Sequence, residues 1–193
     1  HSEEVAVADL SPALDTADGL AWIDMRNPGS EERAWLLAQG YHEMAVEDCF
    51  KEPVPKAFVY DTHRFVVVRA RDADREIDTE FLCVFVTDDL LITVRHSAMP
   101  SVKNFGKRFG SRKIQRRVEL GAEYLLYEML DAIADDWYRI LGGYSERIDV
   151  LEDRVFDPKT IHTDLLQDLH ELKQDLREIS KSVSPLHEVV SRM

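Results

Sequence analysis

The sequence predicts an α+β or α/β fold: a mixed β-sheet flanked by helices, followed by a long antiparallel helical hairpin. Three observations predict it. Strand-like runs rich in Val, Ile and Phe cluster between residues 57 and 95, short helix signals precede them, and two long apolar stripes of helical period occupy residues 126–190. A composition of 45% apolar and 32% charged residues in 193 is that of a folded chain able to bury a core without staples. Both cysteines, Cys49 and Cys83, fall outside any ligand-like spacing. Cys83 sits within the apolar run 81–87 as a buried thiol, so a reducing compartment is expected.

Residues 1–19 mix small and acidic residues and read as a flexible lead-in, with His1-Ser2 as a tag remnant. Leu20–Asp24 reads as a strand ended by the turn signal Asn27-Pro28-Gly29. Ser30, followed by Glu31 and Glu32, is the expected N-cap of a helix through Gln39, because a side-chain oxygen and first-turn acids answer free N–H groups. Gly40 closes it, and a short helix spans Glu43–Cys49. Ala57–Tyr60, Phe65–Arg69, Glu80–Thr87 and Leu90–Arg95 are the strand candidates, with Thr87-Asp88-Asp89 as a hairpin turn. This order places the helices on one face or edge of a half-covered mixed sheet, an α/β domain over 20–119.

Residues 99–117 read as one basic helix, with Lys103, Lys107, Arg108, Arg112, Lys113, Arg116 and Arg117 interrupted by no acid. A cationic face complementing acidic neighbours is the plain reading, and a phosphate or lipid-headgroup site the sharper one. Beyond it, Leu126, Leu130, Ile133, Trp137, Ile140, Tyr144, Ile148, Leu151 and Val155 step by three and four. Phe156-Asp157-Pro158 breaks that helix, and Thr160 or Thr163 caps the next. There Leu165, Leu169, Leu172, Leu176, Ile179, Val183, Leu186 and Val190 repeat the period, with a kink or break expected at Pro185. Two such stripes joined by a short turn pack on each other, as a hairpin over 120–193 on the order of 50 Å long. Asp164, Asp168, Glu171, Asp175 and Glu178 form an acidic stripe expected on the outer face, beside Glu128, Asp131 and Asp135 of the first helix.

The net charge of −13 divides as −9 over 1–50, +4 over 51–119 and −8 over 120–193. That balance disfavours nucleic acid as a partner and favours cations. Hard carboxylate oxygens suit Mg²⁺ or Ca²⁺. No run of 18 apolar residues occurs, so membrane helices are absent from the sequence given. Its last residues stop in mid-pattern, as expected of a piece of a longer chain.

The segments Leu125–Tyr138 and Ile148–Phe156 resemble the first long cytoplasmic helix of CorA-type magnesium transporters, and Leu169–Val190 resembles its partner. Trp22-Ile23-Asp24 is similar to that family's first strand. Gly40-Tyr41-His42-Glu43-Met44-Ala45-Val46-Glu47-Asp48 is similar to its Gly-x-His-Pro-Leu-x-x-Glu-Asp segment, with Glu43 in place of the proline. The resemblance implies a cytoplasmic metal-sensing domain of a homopentamer, anchored in the inner membrane by segments after residue 193. It would gate the transport of Mg²⁺, with Co²⁺ or Ni²⁺ alongside. Asp48 and, beside it, Glu47 are the implied metal ligands at the subunit junction, and Asp131 lines a second implied site. A zinc transporter of the ZntB branch shares this outline. An enzyme reading, with His42, Glu47, Asp48 and Asp131 as a metal-dependent hydrolase, lacks any supporting nucleophile or phosphate-loop motif. An adaptor hairpin without metal response is the remaining alternative.

Overall fold

The computed structural model describes residues 5–15, 19–74, 77–111, 114, 117–156 and 162–191, without the side chains of residues 118 and 162–164. Five strands form one mixed sheet in the order β1-β5-β4-β3-β2. These are β1 (Ala21–Arg26), β2 (Lys56–Val59), β3 (Arg64–Arg71), β4 (Thr79–Val86) and β5 (Leu90–Arg95). β1 lies parallel to β5, and the other pairs are antiparallel.

Alternation along the central strands builds two cores. Val66, Val68 and Ala70 of β3 and Leu82, Val84 and Val86 of β4 face one side. Phe65, Val67, Cys83 and Phe85 face the other. Since successive side chains point to opposite faces, runs this apolar on both sets require cover on both sides. The first face carries α4 (Pro100–Phe109), α5 (Gly121–Phe156) and α6 (His162–Ser191). The second carries α1 (Val7–Asp15), α2 (Ser30–Ala38) and α3 (Glu43–Asp48). The expected half-covered sheet is therefore the middle of three layers, and the apolar core continues across residues 119–120 into the hairpin.

Several local expectations are corrected. Within the expected loose lead-in, residues 7–15 form α1; Val7, Leu10 and Leu14 pack on the core, and Ser11 Oγ accepts hydrogen bonds from Trp35 Nε1 (3.0 Å) and Gln39 Nε2 (3.2 Å). The N-cap of α2 is Gly29 rather than Ser30, its N–H donating to the Glu32 carboxylate at 2.7 Å. β1 runs two residues past Asp24, to Arg26. Asp24 joins β1 to β5 by accepting from Thr93 Oγ1 (2.9 Å) and from Arg95 Nη2 (2.6 Å). The basic helix stops at Phe109, with Gly110 as its C-cap; Arg112, Lys113, Arg116 and Thr160 lie outside the described residues.

The hairpin forms as expected. Tyr144 donates to Asp175, and Arg154 pairs with Asp168, so position falls along α6 as it rises along α5. The first half of α5 is buried beneath α4, the sheet and α6, through Leu125, Leu126, Met129, Ile133 and Trp137. Beyond residue 140 only Tyr144 and Leu151 are buried, the width of a two-helix seam. α6 continues through Pro185 without ending.

Candidate metal centre

His42 starts α3 as its N-cap, its Nδ1 accepting from the Met44 N–H at 3.2 Å. This anchors a six-residue helix whose buried Ala45 and Val46 leave Glu47 and Asp48 at its rim. Glu47 pairs with Lys51 one turn on, and that hydrogen bond, first among the causes, lowers its pKa. Asp48 Oδ2 meets Lys56 Nζ of β2 at 2.5 Å, with about a quarter of each side chain exposed. The two adjacent carboxylates thus each hold one ammonium group, supplied by a different element.

Asp131 lies on the opposite face of the sheet, on α5, so the fold does not bring it to Glu47 and Asp48. Arg108 of α4 spans Asp131 (3.0 Å) and Asp135 (2.6 Å). Its own pKa rises, chiefly through the hydrogen bond to Asp135. The plain reading of the basic segment therefore holds at Arg108, which bridges a like-charged pair four residues apart on α5. Arg117 stacks over Tyr124 at 5.2 Å.

The acidic stripe on α6 is divided: Glu171 and Glu178 are exposed as expected, whereas Asp168 and Asp175 turn to the seam. Asp168 pairs with Arg154, and Asp175 with Arg147 (3.3 Å) and the Tyr144 hydroxyl (2.9 Å), all across the seam to α5. Asp164 is outside the described side chains. Among the described residues, no three His, Cys, Asp or Glu side chains converge into a metal-holding group. The donors at Glu47–Asp48 still fit a hard cation that retains much of its water shell, as Mg²⁺ does with one or two carboxylates.

The model of the CorA-like Mg²⁺ transporter family matches residues 17–193. The chain belongs to the CorA family. The cobalt/magnesium transport protein CorA of Thermotoga maritima is 28% identical over 159 residues, covering 80% of this chain and 44% of that protein. Its Methanocaldococcus jannaschii counterpart is 24% identical over 140 residues, covering 70% and 44%. The chain thus spans less than half the length of these CorA relatives. The fold is that of the soluble domain of CorA from Methanocaldococcus jannaschii, with a TM-score of 0.57 at 18% identity over 89% of this chain and 86% of that one. The ZntB cytoplasmic domain from Vibrio parahaemolyticus matches with a TM-score of 0.71 at 12% identity, covering 91% and 69%. At such identities the likeness is one of fold. No described helix of this CorA family member is long and apolar enough to cross a membrane.

Sequence reasoning found the carboxylates and missed what holds them. The Glu47–Lys51 pair was legible from its four-residue spacing. Lys56 reaches Asp48 only because β2 returns beside α3, and Arg108 reaches Asp131 only because α4 packs on α5. Also missed was the buried carboxylate of Asp136, held by Arg71 of β3 at 2.9 Å.

Proposed function

We propose that the chain is the metal-sensing domain of a CorA-like divalent-cation transporter, acting at the cytoplasmic face of the inner membrane within a homopentamer. The family match over residues 17–193 carries this reading. Mg²⁺ is the ion proposed for transport and regulation, with Co²⁺ or Ni²⁺ as further cargo. No catalytic step is part of it.

Asp48 and Glu47 would hold the regulatory ion, the remaining ligands coming from water and a neighbouring subunit. A divalent ion supplies twice the charge of the ammonium it displaces, at a similar distance from the carboxylate. Lys51 and Lys56 occupy the two carboxylates as ammonium partners, so an arriving ion competes with them for Glu47 and Asp48. An ion shared between subunits favours the assembled arrangement by its differential affinity, and closure then follows intracellular metal. Asp131 and Asp135 form the second proposed site, with Arg108 as its competitor.

Thermal shift and calorimetry on the chain with Mg²⁺, Co²⁺ and Zn²⁺ test the proposal. The expected result is saturable stabilisation that Asp48→Ala reduces. Stabilisation unchanged in Asp48→Ala would refute the site, and no response to any divalent ion would refute the sensor. A response to Zn²⁺ well above that to Mg²⁺ would assign the ZntB-like alternative.

A further inference from the structure

Cys49 and Cys83 are the chain's two cysteines, and the fold brings them together. Cys49 is the C-cap of α3, and Cys83 is on β4, in the middle of the sheet. Both are free and 2% exposed, and burial, with the neighbouring Cys83 thiol beside it, pushes the Cys49 thiol's pKa well up. They share the wall of a cavity of about 310 Å³ with Asp48, Lys51, Phe81 and His96. His96 Nε2 lies 2.8 Å from the Cys49 carbonyl oxygen, tying the end of α3 to the residue after β5, and Cys49 Sγ donates to the Ala45 carbonyl at 3.4 Å within the last turn of α3.

We infer that Cys49 and Cys83 are a redox pair that closes to an intrachain disulfide and clamps α3 to β4. Hydrogen peroxide is the oxidant: one sulfur attacks an O–O oxygen, giving a sulfenic acid and, with the thiol proton, one water. The second sulfur then displaces the hydroxyl from the first, forming the S–S bond and releasing a second water with its own proton. Two thiols are oxidised by two electrons, and one peroxide is reduced. The cavity admits a molecule of that size, whereas burial slows reaction at both sulfurs, so the pair answers sustained rather than brief oxidant exposure. The clamp fixes the helix that carries Glu47 and Asp48. That consequence for metal response rests on the function proposed above; the bond itself does not.

The test uses the whole chain without divalent ions, so its outcome is separate from that of the metal titration. After prolonged incubation with hydrogen peroxide, thiols titrated in denaturant are expected to fall from two per chain to none. The chain stays a single chain on a non-reducing gel, a Cys49–Cys83 peptide appears on mapping, and reductant restores both thiols. Amides of residues 43–49 then exchange more slowly in the oxidised form. Persisting thiols, cross-linked dimers, or sulfinic acids in place of the joined peptide would overturn the pairing. Unchanged exchange in α3 would overturn the clamp. Cys83→Ser is expected to stop at a sulfenic acid on Cys49 without the joined peptide; because the map is made on the unsubstituted chain, it stands even if this variant does not fold.

Discussion

Gly121 turns the chain into α5 with a φ of +69°, and a Cβ added there would lie 2.8 Å from the Asp88 carbonyl oxygen. The same carbonyl accepts the Ala122 N–H at 2.9 Å, so it cannot retreat without losing a helix-start bond. Gly121→Ala is expected to cost about 1–3 kcal/mol from backbone strain and overlap, measured by urea unfolding. His63 offers a second residue-scale test. It is enclosed by Tyr41, Tyr60 and Phe85, with His42 stacked on the far side of Tyr60. Burial, reinforced by the charge of His42, lowers its pKa below the usual 6.5. The native state thus favours neutral imidazole. Its contribution is fully present above about pH 6.5 and is lost as pH falls through the lowered native value. The Tm is expected to drop between pH 7 and pH 5, and less steeply in His63→Phe, which keeps a ring in the stack. Equal slopes for the two chains would discount His63.

At the scale of elements, α5 has two regimes. Ile133 is 1% exposed in the half of the helix that meets the sheet. Ile133→Ala there is expected to cost about 2–5 kcal/mol through lost burial and an unfilled cavity, read from the denaturation midpoint. Ile148 and Val155 continue the same apolar stripe but stand 37% and 47% exposed, because the distal hairpin has no third layer to meet. The α6 stripe also passes through Pro185, where the helix continues despite the missing N–H. Pro185→Ala returns that donor, and a gain of up to about 3 kcal/mol is expected in thermal melts. A loss of stability would show instead that the proline ring packs productively. The seam itself is polar at its edges: Asp168 and Asp175 meet Arg154 and Arg147, partly exposed pairs that fix register more than they add stability.

For the molecule as a whole, metal linkage is the decisive measurement. A divalent ion bound only by the folded chain, at ten times its Kd, stabilises by about 1.4 kcal/mol. For a chain of this length that is a rise in Tm of about 3–6 °C. The increment is expected to shrink in Asp48→Ala and to persist at raised NaCl if the ion is bound at a site rather than drawn by the net charge of −13. A rise abolished by salt would mark diffuse attraction.

Local chemistry settled much of this protein in advance. The three–four spacing from Leu126 to Val155 and from Leu165 to Val190 required two helices with apolar faces, and a short connection required them to be antiparallel. The β-branched and aromatic runs at 66–68 and 81–86 required strands, and Glu47, Asp48 and Asp131 were visible as carboxylates in a family-like order. What the tertiary structure decided was partnership. The period of Asp168, Glu171 and Asp175 shows that they share a helix face. It does not show that Asp168 and Asp175 turn toward arginines of α5 rather than toward water. Likewise Lys56, Arg108 and Cys83 become neighbours of Asp48, Asp131 and Cys49 only once strands return and helices cross. Periodicity is a property of one element, whereas the pairing of charges and thiols depends on distances between elements, which no local pattern encodes.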